Sequence, residues 1–95
     1  MITISVTKNS IHVHGHAEAG PPGQDIVCAA VSTLTQNLIS SVEELTEDKI
    51  TYSISPGMVD IDFGELSEAS RLLVDSFFLG VCSIANEHPA NVRVQ

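Results

Sequence analysis

Residues 11–31 read IHVHGHAEAGPPGQDIVCAAV, and the fold turns on where this stretch changes its period. Ile11 and Val13 alternate with His12 and His14, the period-two pattern of a half-buried strand. Gly15 can break that alternation, because glycine permits a bend or bulge at a strand end. Glu18 to Gln24 then carry two prolines and two glycines and no period, so they form a loop. Asp25 is an N-cap candidate, and from there the apolar residues step by three or four. Val27, Val31, Leu34, Leu38, Val42 and Leu45 lay one stripe along a long amphipathic helix.

Upstream, Ile2, Ile4 and Val6 alternate with polar residues, and Lys8-Asn9-Ser10 suits a hairpin turn. Downstream, Ile50, Tyr52 and Ile54 alternate, Ser55-Pro56-Gly57 turns, and Val59, Ile61 and Phe63 alternate again, a second hairpin. Ser67 caps a second helix with Leu66, Ala69, Leu73, Phe77, Gly80 and Ile84 on one face. Phe78, Leu79, Val81 and Cys82 widen that face, predicting a helix buried on most sides and a core position for Cys82. His88-Pro89 ends it, and Val92 with Val94 gives a short last strand. Hairpins separated by helices predict one α+β domain over residues 1–95. Its expected architecture is two-layer, an antiparallel or mixed sheet of four to five strands with two helices packed on one face.

Composition narrows the function. Twelve carboxylates against four Lys and Arg give a net charge of −8, which repels phosphate backbones and anionic lipid and argues against nucleic-acid or membrane partners. The same charge attracts a basic polypeptide. No window approaches the roughly 18 apolar residues of a spanning helix. The N-terminus lacks a charged segment ahead of an apolar run, so the expected location is cytoplasmic, with Cys28 and Cys82 reduced. Glu43, Glu44, Glu47 and Asp48 crowd the end of the first helix, where negative charge opposes the helix dipole.

Chemistry concentrates between His16 and Cys28. With Asp25 as N-cap, Cys28 falls in the first helical turn, where the dipole and free amides favour a thiolate and offer donors to an oxyanion. His16 ends the strand beside it, and imidazole can hold a thiolate as an ion pair and then protonate a leaving amine. Two other readings stand beside this one. A single cysteine on an amphipathic helix also serves as a small buried hydrophobe. His12, His14 and His16, with Cys28, offer a three-His, one-Cys zinc set, opposed by the difficulty of bringing three such strand positions to one ion. No cofactor is expected, and His12 and His14 are expected to face solvent.

Gly15-His16-Ala17 followed by Asp25-Ile26-Val27-Cys28-Ala29-Ala30-Val31-Ser32 resembles the signature of the ribosomal-processing cysteine protease (Prp, YsxB-like) family. The twelve-position step from His16 to Cys28 fits it, and the order of elements extends the likeness over nearly the whole chain. The resemblance implies an α+β homodimer acting as an endopeptidase. It would remove the N-terminal extension of large-subunit ribosomal protein twenty-seven, cutting after a short aromatic-containing sequence. Related phage and prophage proteins process capsid or scaffold proteins, and a non-enzymatic peptide-binding module is a further alternative. Carried onto this chain, His16 and Cys28 form the dyad, with Asp25 and Ser32 in supporting roles. The loop through Ala17, Glu18, Gly20, Pro21, Pro22 and Gly23 is implied to close over substrate.

Overall fold

A computed structural model describes residues 1–16 and 25–95. Strands β1 (Ile2–Val6) and β2 (Ser10–Gly15) form the first hairpin, with Val6 opposite Ile11 and Ile2 opposite Gly15. Its turn is tied by Thr7, whose amide donates to the Ser10 carbonyl at 2.8 Å and whose hydroxyl accepts the Ser10 amide at 3.0 Å. Helix α1 (Ile26–Leu45) follows, then β3 (Ile50–Ser55) and β4 (Met58–Phe63), joined through Pro56 and Gly57. Gly57 takes φ +72°, the left-handed conformation that a Pro-Gly turn assigns to glycine. Helix α2 (Glu68–Glu87) and β5 (Val92–Val94) complete the described chain.

The sheet runs β3-β4-β2-β1-β5. Only β5 lies parallel to its neighbour, β1, so the sheet is mixed. Ile2, Ile4, Ile11, Val13, Ile61, Phe63 and Val92 point from the sheet into one core with Val27, Val31, Leu38 and Val42 of α1 and Val74, Phe77 and Val81 of α2. Each such side chain contributes about 1.5–3 kcal/mol over its exposed state, which fixes both helices on this face. The predicted stripe on α1 gains Thr35 and Ile39 and loses Leu45, which is exposed. Thr35 is buried at no polar cost because its hydroxyl donates to the Val31 carbonyl at 2.7 Å. The helices approach closely at Gly80, where a Cβ would meet Leu34 at 2.9 Å.

Two expectations about α2 are corrected. It is not buried on most sides: Leu72 and Leu79 are 70% and 72% exposed, and the covered face runs through Ser70, Val74, Phe77 and Val81. A helix in a two-layer fold meets the sheet and one neighbouring helix, which leaves its outer face uncovered. Cys82 follows the same geometry. It is half-buried and outside the core cluster, whereas Cys28 packs against that cluster.

The acidic end of α1 acquires a partial explanation. The Asp48 carboxylate accepts hydrogen bonds from the Ser67 hydroxyl (2.6 Å) and amide (3.1 Å), and Ser67 caps α2 through the Ser70 amide. The Ser67 hydroxyl, with the Ser70 side chain second, holds the Asp48 carboxyl below its ordinary range. Asp48 therefore ties the segment leaving α1 to the start of α2.

Candidate active site

Position 15 determines which face His16 joins. Strict alternation would place His16 with His12 and His14, but Gly15 adopts φ +102° and turns the chain. Its amide donates to the Gly57 carbonyl at 2.8 Å. A Cβ at position 15 would run into the Met1 carbonyl, so the bend needs glycine for space as well as for φ. His16 emerges on the helix side of the sheet with its ring against Gly57, where a Cβ would lie 2.6 Å from Nε2. The Met1 ammonium donates to the His16 carbonyl at 2.6 Å.

Cys28 is the third residue of α1, and Asp25 is the N-cap. One carboxylate oxygen of Asp25 accepts the Val27 amide at 3.0 Å and the Cys28 amide at 2.9 Å. This fixes the first turn and corrects one expectation, since those two amides are committed to Asp25 and are not open to an oxyanion. Cys28 is half-buried. It and His16 line the same cleft, together with Ser32 and Gln36 further along α1 and the β3–β4 turn from Ile54 to Val59. Ile2, Val13 and Val31 form its apolar floor. Ile54 and Met58 remain 51% and 36% exposed beside it.

The structure thus brings His16, Cys28 and Ser32 to one cleft and assigns Asp25 to the helix cap. The gating residues Ala17, Glu18, Gly20, Pro21, Pro22 and Gly23 lie outside the described residues. The three-His, one-Cys zinc set does not assemble. His12 and His14 point away from the helices, where His12 Nδ1 and His14 Nε2 lie 2.5 and 2.7 Å from one oxygen of Asp60. Hydrogen bonds from His12, then His14, keep the Asp60 carboxyl below its ordinary range. Asp60 was invisible as a partner in the sequence, because only the register that sets it opposite His12 brings them together. Gly57 was missed likewise; it read as turn chemistry, and nothing local signalled that it borders His16.

A two-layer α+β domain places a thiol at a helix start and an imidazole at a strand end on one cleft, and its likeness to known proteins makes the class that of a cysteine protease. The family described as cysteine protease Prp matches residues 1–93, and the chain belongs to that family. Among curated relatives, the ribosomal processing cysteine protease Prp of Staphylococcus aureus is 26% identical over 103 residues, covering 99% of this chain and 97% of that protein. The crystal structure of the S. aureus protease with a covalently linked product peptide superposes with a TM-score of 0.92 at 24% identity, covering 100% of this chain and 98% of that one. A Streptococcus mutans protein of solved structure is 33% identical, with a TM-score of 0.81 and coverage of 99% and 90%. These superpositions match the fold over its full length.

Proposed function

We propose that this protease removes the N-terminal extension of a large-subunit ribosomal protein precursor, of the type numbered twenty-seven, with Cys28 as nucleophile and His16 as base and acid. The observation that carries the reading is the shared cleft of Cys28 and His16. The Cys28 sulfur attacks the scissile carbonyl as His16 takes the thiol proton. His16 then gives that proton to the departing amine, leaving an acyl-enzyme. Water, deprotonated by His16, releases the new carboxylate and restores the thiol. Asp25 supports the nucleophile by fixing the turn that carries it, and Ser32 lies one helical turn further along the same wall.

The cleft favours an extended peptide with apolar or aromatic side chains, for which Ile54, Met58, Val59 and Val13 form the bed. The S. aureus relative has been crystallised with a substrate peptide as well as the covalent product. A basic tail entering a protein of net charge −8 is steered to it electrostatically. Such precursors are made in the cytoplasm, which is therefore the proposed workplace. No helix among the described residues is long and apolar enough to cross a membrane.

The test is incubation with basic-tailed precursor peptides at low and moderate salt, with the new termini mapped by mass spectrometry. One discrete cut, slowing as salt rises, is expected. Binding without a cut would instead mean a peptide-holding module, and cleavage confined to capsid or scaffold sequences would move the substrate to phage. Equal rates at both salts would remove the steering.

A homodimer is part of the same proposal, supported by Leu72 and Leu79 one above the other on the uncovered face of α2, beside half-exposed Phe78. Sedimentation equilibrium should give twice the chain mass, and Leu79→Lys should return it to a single chain. A wild-type mass of one chain would remove the dimer.

A further inference from the structure

We propose that His12, His14 and Asp60 form a binding site for a first-row divalent transition-metal ion, with zinc as its reference occupant, on the sheet face opposite the cleft. One ring nitrogen each from His12 and His14 and an Asp60 carboxylate oxygen all lie within 4.8 Å of one another. Two imidazoles and one carboxylate are a donor set suited to zinc, cobalt or nickel, with water completing the shell. Both imidazoles already direct a ring nitrogen at the same oxygen, at 2.5 and 2.7 Å. Zinc lies about 2.0–2.2 Å from nitrogen and oxygen ligands. These partly exposed side chains need only open slightly around it, while each ring N–H moves to the other nitrogen.

The backbone beneath the trio is fixed. His12 and His14 occupy one face of β2, and Asp60 lies directly opposite His12 on β4, between two further paired strands. Ligands on sheet interior strands hold their spacing better than ligands on loops. Among the described residues no Lys or Arg pairs with Asp60, so an incoming cation need not displace one. The trio is separate from Cys28 and His16, and the ion is given no part in peptide cleavage. Its effect is mechanical, since it would cross-link β2 to β4, the strands that lead into His16 and leave the Pro56-Gly57 turn.

The experiment uses zinc and cobalt with the Cys28→Ala protein, so that the thiolate of the cleft cannot supply the site, and a cobalt–thiolate band would report ligation by Cys82. Equilibrium dialysis should find one ion per chain, the cobalt spectrum should show nitrogen and oxygen ligation, and zinc should raise the thermal midpoint. His14→Gln or Asp60→Asn should each weaken binding by at least about tenfold and cancel the zinc-dependent rise, with circular dichroism confirming the fold. No saturable binding to Cys28→Ala would reduce the trio to hydrogen bonding alone. Binding that survives both ligand substitutions would place the ion elsewhere. Either result overturns the proposal.

Discussion

Replacing Cys28 by alanine is expected to lower kcat/KM for peptide cleavage by at least about 10³-fold, because the covalent route loses its nucleophile. Cys82, the other cysteine, lies on α2 and does not line the cleft, so it offers no substitute. The fold should persist. Cys28 is half-buried, and alanine is the best helix former, so the lost packing of one sulfur should cost no more than about 1–2 kcal/mol. Serine keeps the shape but is a far poorer nucleophile at neutral pH, and it too should be nearly inactive. Cleavage is read by mass spectrometry on the peptides proposed above, beside a thermal unfolding curve for each variant. Full turnover by Cys28→Ala would remove Cys28 from the chemistry. Lost turnover together with a collapsed unfolding transition would show that the thiol served the core, the alternative that the helix pattern alone allowed.

Local chemistry made much of this fold legible. Asp25 and Ser67 cap the helices where the change of period placed them, because a cap is a decision among neighbouring residues. The alternation of Ile50, Tyr52 and Ile54 against Val59, Ile61 and Phe63 gave the second hairpin for the same reason. Gly15 was legible as a break in parity, and the break carries His16 to the helix side. What escaped reading depends on partners remote in sequence. Asp60 meets His12 only after two hairpins pair in register, 48 residues apart. The ring of His16 meets Gly57 for the same reason. The exposure of Leu72 and Leu79 reflects how many layers the fold has, which an apolar helix pattern does not encode. The amides at Cys28 were misread because one carboxylate both caps the helix and occupies them.

Gly15→Ala should have the largest effect on stability among the site-proximal substitutions. Alanine at φ +102° is held on the unfavourable side of the backbone map, at a cost of about 1–3 kcal/mol. The new methyl also meets the Met1 carbonyl, which is backbone and cannot swing aside. Relief requires the end of β2 to straighten or to separate from Met1, and either movement carries His16 with it. A displacement on the order of 1 Å in a catalytic group can cost about 10²-fold in rate. Activity should therefore fall with stability, and the two losses can be separated at Gly57. There the nearest atoms to a Cβ belong to the far end of the His16 ring, at 2.6 Å, so Gly57→Ala should displace the imidazole for about 1–2 kcal/mol of left-handed backbone strain. It should lose activity out of proportion to its fold. Gly64 supplies the control, since a Cβ there meets nothing within 4 Å, and Gly64→Ala should leave cleavage unchanged. Unfolding curves and kcat/KM for the three alanine variants decide the matter. If Gly15→Ala keeps full activity at a temperature where it is folded, the bend at Gly15 does not position His16, and the imidazole in the dyad must be held by something other than this turn.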